Sequence, residues 1–195
     1  SERESDRGRY AKIQTIARIR PSGCKPLSWK RLKSAVVYDN PWITVFDEKV
    51  LNPNGGESQY GRIHFKSKAI AIVPLDEDGN TWLVGQNRYT TDEYSWEVPM
   101  GGSDAGEDPI DTAKRELKEE TGLTAGKLEQ IMRLHPSNSI TDEEGFVFVA
   151  TNLEQGETDF DDDENLQVRK LSLVDAIEMV KRNEITDAIS VAALL

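Results

Sequence analysis

The order of apolar runs predicts an α/β fold, with short strands first, one helix in the middle of the chain and further helices at its end. Three observations carry that prediction. Runs rich in β-branched and aromatic residues recur from Ala35 onward between Gly, Pro and Asn turns. Pro109 to Thr121 switches to helical spacing between two helix-terminus signals. The last residues return to apolar positions at helical spacing.

In chain order, Ala35-Val36-Val37-Tyr38 and Ile43-Thr44-Val45-Phe46 read as strands flanking Asp39-Asn40-Pro41, and Asn52-Pro53-Asn54-Gly55-Gly56 reads as a turn. Ile63-His64-Phe65 and Ala69-Ile70-Ala71-Ile72-Val73 continue the strands. Asp76-Glu77-Asp78-Gly79-Asn80 is a hairpin turn before Thr81-Trp82-Leu83-Val84, and Trp96-Glu97-Val98-Pro99-Met100 is a short strand or the end of one. Gly101, Gly102 and Gly106 then form a loop able to bring backbone groups close to an anion. Asp108 can cap a helix, Pro109 suits its first position and Gly122 its left-handed end, so a helix runs from about Pro109 to Thr121 with Ile110, Ala113 and Leu117 facing a core. Strands follow at Ile131-Met132-Arg133-Leu134, Phe146-Val147-Phe148-Val149-Ala150 and Gln167-Val168-Arg169-Lys170-Leu171. Ser172 can cap a helix from Val174 to Lys181, and Thr186 one from Ala188 to Leu194.

A length of 195 residues suits one domain plus an appendage, and 37% apolar content is enough for a mixed core. No apolar run approaches the roughly 18 residues that span a bilayer, and no secretory segment is evident near the start, so the expectation is a cytoplasmic protein without a membrane partner. The single Cys24 excludes an intrachain disulfide and lacks the His and Cys company of a zinc site. Net charge is −11, unevenly spread: through Lys33 there are ten Lys/Arg against three acids, and beyond it fourteen against thirty-two. Residues 1–33 therefore read as a basic, partly disordered arm and 34–195 as the main domain. The arm lacks a nucleic-acid-binding motif, so intersubunit contact or disorder is expected and nucleic acid is not.

Glu116, Glu119 and Glu120 crowd the last turn of the central helix, where the helix dipole disfavours each exposed carboxylate by roughly 0.3–1 kcal/mol and like charges at i,i+4 repel. A solvated acidic face is one reading, with Lys114, Arg115 and Lys118 nearby. A bound divalent cation is the other. Oxygen ligands without His or Cys indicate a hard ion: Mg²⁺, with Mn²⁺ as a substitute, taking one or two carboxylates and bridging to substrate phosphates.

The stretch Gly101-x5-Glu107-x7-Arg115-Glu116-Leu117-x-Glu119-Glu120-x-Gly122-Leu123 resembles the Nudix box of the Nudix hydrolases at every fixed position over 23 residues. The resemblance implies an α/β/α sandwich with a mixed β-sheet and a loop-helix-loop that binds divalent metal and hydrolyses a nucleoside diphosphate linked to another group. It implies that Glu116 and Glu120 are the principal metal ligands, that Glu119 serves a further metal or its water shell, and that the Met100 carbonyl is an extra ligand. Glu107 and Arg115 would fix the geometry of the box.

Outside the box, three features resemble the ADP-ribose and nucleoside-diphosphate-sugar pyrophosphatase branch. The N-terminal region with Trp29 and Asn40-Pro41-Trp42 resembles a segment that builds a homodimer over about residues 29–60 and lends aromatics to the base. Gly85-Gln86-Asn87-Arg88-Tyr89 resembles a motif whose arginine reaches the phosphates, with Glu97 also expected among the substrate contacts. His135-Pro136-Ser137 followed by Thr141-Asp142-Glu143 resembles a substrate-class marker, making Pro136 a substrate contact. The acidic loop from Asp159 to Glu164 resembles the one that supplies a glutamate to the attacking water, so Glu164 is the candidate base; as a solvated charge run it would have no such role. An EF-hand fails there, since Glu164 and Lys170 stand where Gly and Glu are needed. The expected reaction is metal-assisted in-line attack of water on one phosphorus of ADP-ribose or an NDP-sugar. The alternatives are dinucleoside polyphosphates or capped RNA as substrate, or a non-catalytic nucleotide-sensing module.

Overall fold

The computed structural model describes residues 28–157 and 166–195. Thirteen elements are present among them: β1 Lys30–Asp39, β2 Ile43–Leu51, β3 Glu57–Phe65, β4 Ala69–Pro74, β5 Asn80–Arg88, β6 Glu93–Glu97, β7 Met100–Gly102, α1 Pro109–Thr121, β8 Leu123–Leu134, β9 Gly145–Gln155, β10 Gln167–Ser172, α2 Leu173–Lys181 and α3 Ala188–Leu194.

The centre is the mixed sheet β7-β4-β9-β8, in which β4 runs parallel to β9 and antiparallel to β7. Strand β4 is apolar throughout because both its faces are covered. Its two-residue period sends Ile70 and Ile72 to one side, against Ala113 and Leu117 of α1, and Ala71 and Val73 to the other, against Ala176, Met179 and Ile189 of α2 and α3. The result is the α/β/α sandwich with a mixed sheet. A second sheet, β10-β5-β6, feeds Leu83 into one core and Trp82 into the other, and β1-β2-β3 forms a separate antiparallel meander.

Several elements differ from the sequence reading. Strands β1, β3 and β8 start earlier than their apolar cores, because ladder pairing extends along residues that bury little. Trp96 to Met100 is not one strand: β6 ends at Glu97 and β7 begins at Met100, each paired to a different sheet. Gly101 and Gly102 belong to β7, opposite Ile70 and Ala69, and only Gly106, at φ +85°, lies in the loop. In α1 the buried residues begin at Thr112 and Ala113, leaving Ile110 36% exposed. The cap of α3 is Asp187, whose side chain accepts from Ser190 N at 2.7 Å, and not Thr186. No described helix is long and apolar enough to cross a membrane.

Leu117 is fully buried at the contact between α1 and the sheet. Leu117→Ala is expected to lower unfolding free energy by about 2–5 kcal/mol; a urea titration showing a loss under about 1 kcal/mol would contradict this packing.

Candidate active site

Helix α1 is fixed at both ends by local chemistry. Ile110 N donates to Asp108 Oδ1 at 3.0 Å, Pro109 follows, and Gly122 N donates to Lys118 O at 2.8 Å. Gly122 has φ +72°, and a Cβ there would stand 2.6 Å from Gly156 O, so glycine is required. With the ends set, helical spacing places Ala113, Glu116, Leu117 and Glu120 on one buried stripe. The carboxylates read as exposed in the sequence are therefore turned inward, Glu116 at 9% and Glu120 at 3% exposure.

Strand β7 forms the opposing wall. Met100 N donates to Glu120 Oε2 at 2.8 Å, and a Cβ on Gly101 would overlap the Glu116 carboxylate, so that side chain lies flat against glycine backbone. Arg115 closes the group from the other side. Its Nη1 donates to Glu116 Oε1 at 2.7 Å and Glu119 Oε2 at 2.9 Å; its Nε and Nη2 reach Glu107 at 3.3 and 3.2 Å, and Nη2 also reaches Gly102 O at 3.1 Å. The Arg115 guanidinium and the amide of Asp104 hold the Glu107 carboxyl down at about 2, and Glu107, followed by Glu116 and Glu119, raises Arg115 further above its usual range.

The donor set fits a hard divalent cation. Glu116 and Glu120 present carboxylate oxygens, without sulfur or imidazole, against the glycine backbone of β7. Among the described residues no three His, Cys, Asp or Glu converge into a ready-made cage. Mg²⁺ sites typically take one or two carboxylates and draw the remaining ligands from water and substrate phosphate, so Glu116 and Glu120 would suffice to hold one.

Beside this wall is a cavity of about 370 Å³ lined by Arg88, Tyr94, Glu97, Met100, Thr186 and Asp187, among others. Arg88 and Glu97 form a two-point ion pair across it, Nε to Oε1 at 2.9 Å and Nη2 to Oε2, with the Glu97 side chain almost wholly buried. Glu97, and more weakly Asp187 and Glu120, raise the Arg88 pKa above its usual range against the opposing effect of burial. The structure thus brings Arg88, Glu97, Met100 and Glu120 together. Trp29 and Trp42 sit exposed on the N-terminal meander, Trp29 stacked edge-on against Tyr60 at 5.3 Å, and neither lines this cavity. Pro136 lies half-buried in the β8–β9 connection, also outside the cavity lining. Glu164 is outside the described residues.

One carboxylate of this cavity escaped the sequence reading. Asp187 lines the cavity, and Glu143 is pushed above the usual carboxyl range by burial and by the facing Asp187 charge. Asp187 had a signal, a capping residue directly ahead of an apolar helix. Glu143 was read only within the stretch Thr141-Asp142-Glu143, with no role of its own.

The NUDIX domain family matches residues 66–194, and the nucleoside diphosphate sugar hydrolase N-terminal domain matches residues 29–63. The chain belongs to the Nudix family and is a Nudix hydrolase. Its relatives include the ADP-ribose pyrophosphatase of Bacillus subtilis, 32% identical over 84% of this chain and 89% of that one. The ADP-ribose pyrophosphatase of Mycobacterium tuberculosis is 37% identical over 65% of this chain and 63% of that one. A crystal structure of an ADP compounds hydrolase superposes with TM-score 0.78 at 26% identity, covering 88% of this chain and 93% of the other.

The Glu107 pairing has a pH signature. A carboxyl at about 2 when folded and about 4.3 when unfolded contributes stability in full above the unfolded value, lost as pH falls through the folded one. In chelator-treated protein the stability gap between wild type and Glu107→Gln is expected to close as pH drops from about 5 towards about 2. A gap constant across that window, read by urea denaturation, would contradict the pairing.

Proposed function

We propose that the protein is a Mg²⁺-dependent pyrophosphohydrolase of ADP-ribose or a nucleoside diphosphate sugar, with Mn²⁺ as a substitute, acting as a homodimer in the cytoplasm. The observation that carries this is the buried pair Glu116 and Glu120 against Met100 and Gly101, in a chain whose relatives over most of its length include ADP-ribose pyrophosphatases. The nucleoside-diphosphate-sugar branch is favoured by the separate match of residues 29–63.

In this reading Glu116, Glu120, Glu119 and the Met100 carbonyl hold the cation, which when bound supplies a polarised water and neutralises charge on the diphosphate. Arg115 orients Glu116 and Glu119. Glu97 holds the Arg88 guanidinium in one orientation, so that Arg88 meets a phosphate with little loss of side-chain freedom. Glu164 accepts the proton of the attacking water, Trp29 and Trp42 contact the base, and Pro136 belongs to the loop that selects the substrate class. Water attacks one phosphorus in line as the bridging P–O bond breaks. ADP-ribose yields AMP and ribose 5-phosphate; an NDP-sugar yields NMP and sugar 1-phosphate.

Incubation with Mg²⁺ and a panel of ADP-ribose, NDP-sugars, dinucleoside polyphosphates and capped RNA, with products separated by chromatography, tests the reading. Cleavage of the first two classes is expected to dominate, and Glu120→Gln is expected to reduce turnover by about a thousandfold or more while the fold survives. Undiminished turnover in that variant at saturating Mg²⁺ sinks the metal assignment.

The dimer is supported by β1, an edge strand exposed along its whole length that carries Leu32, Val36, Val37 and Tyr38, with Trp42 following at 70% exposure. Static light scattering is expected to give twice the chain mass of 21.9 kDa, and Val37→Glu to shift it towards the monomer. A monomeric wild type at micromolar concentration would count against it.

A further inference from the structure

The connection from β8 to β9, residues 135–144, is fastened to strand β3. Ile63 N donates to Ile140 O at 2.9 Å and Asp142 N to Ile63 O at 3.2 Å, making a parallel bridge between Ile63 and Thr141. Tyr60 Oη donates to Ser139 O. The Asp142 side chain adds three more contacts: Phe65 N donates to Oδ1 at 3.0 Å, Arg62 Nη1 to Oδ2 at 3.2 Å, and His64 Nδ1 lies 2.8 Å from Oδ2. Arg62 is itself held over the Phe46 ring at 4.2 Å and lies 3.5 Å from the buried Glu48, so the clasp is anchored in the body of the meander.

The next residue is Glu143. Its backbone oxygen meets His135 Nδ1 at 2.9 Å, and Glu144 O accepts from Ala69 N at 2.9 Å, where the chain enters the central sheet. Glu143 is therefore held on both sides, by Asp142 to β3 and by Glu144 to β4. Two residues on, Gly145 packs against Ile189 of α3, the helix that Asp187 caps, and the Glu143 carboxyl lies in the field of Asp187, which lines the Arg88 cavity.

We propose that Asp142 is a positioning residue: by clasping Phe65 N, Arg62 and His64 it holds the 135–144 connection on β3 and thereby sets Glu143 beside Asp187 at the edge of the substrate cavity. The kinetic part rests on the proposed activity; the clasp itself does not. Burial works to raise the Asp142 carboxyl, but the bonds from His64 and Phe65 and the charges of His64 and Arg62 outweigh it and keep the group below the usual range, hence anionic. Both side chains of the His64 pair are nearly half exposed, so solvent screens the charge, and the hold comes from the number and direction of donors converging on one carboxylate.

The test compares wild type, Asp142→Ala, Glu143→Gln and the double variant in the full chain. Hydrogen exchange reads the clasp without substrate: amides of residues 136–144 should exchange about tenfold faster in Asp142→Ala while those of α1 keep their protection. Kinetics use whichever panel compound the wild type cleaves fastest. Asp142→Ala should raise KM about tenfold with kcat within about threefold, and the double variant should be no worse than the more affected single variant. Asp142→Asn, which retains an acceptor for Phe65 N, should recover part of both effects, and it replaces the alanine variant if that fails to fold. Unchanged exchange overturns the clasp, and additive losses overturn its link to Glu143. A wild type inert towards the whole panel overturns the proposed function and leaves the exchange result to decide the clasp.

Discussion

A single guanidinium holds together side chains that would otherwise repel. Arg115 meets Glu107, Glu116 and Glu119 at hydrogen-bonding distance, while Glu120 is buried one helical turn beyond Glu116 and tied to Met100 N. Arg115 pairs with three of these carboxylates, and Glu120 lies in the field of Arg88. Buried charge is costly unless neutralised, and the clamp offsets part of that cost. The rest of the domain serves this arrangement. Caps at Asp108 and Gly122 set the helix phase, Leu117 and Ala113 press it to the sheet, and the absence of a side chain at Gly101 gives Glu116 its place.

The same imbalance recurs at the neighbouring cavity. Arg88 is engaged by Glu97 and lies in the field of Asp187 and Glu120, and Glu143 faces Asp187. A diphosphate entering such a site meets an acidic wall on a chain of net charge −11. Coulomb repulsion at these separations is strong wherever water is excluded, so binding requires positive charge beyond Arg88. A divalent cation, which the helix carboxylates would hold, would supply that charge, and the Glu97 pairing has a complementary use. It spends two donors of Arg88 but fixes the plane in which the guanidinium presents itself.

Features decided by local chemistry were readable in the sequence. Helix α1 begins and ends where Asp108, Pro109 and Gly122 place it, and Ser172 caps α2 as its position indicates. The box was legible for the same reason, since its residues are carried by one helix and the strand just before it. Features decided by tertiary contact were not. Strand β1 has no buried position to reveal a period of two, and β8 mixes exposed and half-buried residues irregularly. Inward rotation of Glu116 and Glu120 depends on β7, whose strand character comes from pairing with β4 rather than from Met-Gly-Gly. His64 gave no sign of a role, because its partner Asp142 is 78 residues away.

That long-range contact bears on how the two ends of a substrate are to be held. Among the described residues, β1 pairs only with β2, and the meander meets the chain after the box through β3, at the Ile63–Thr141 bridge and the Asp142 cluster. Trp29 packs on Tyr60, and Tyr60 binds Ser139 of the connection that carries Pro136. An aromatic of the meander and the residues after the box are therefore parts of one clasped unit, whereas the helix carboxylates belong to the sandwich core. Glu143 is tied to both, through Asp142 to β3 and through Glu144 to β4, so the connection joins the meander to the sandwich. The carboxylates of α1 keep contacts made within α1 and with β7, so the meander can vary in sequence away from the clasp without touching the partners that hold Glu116 and Glu120.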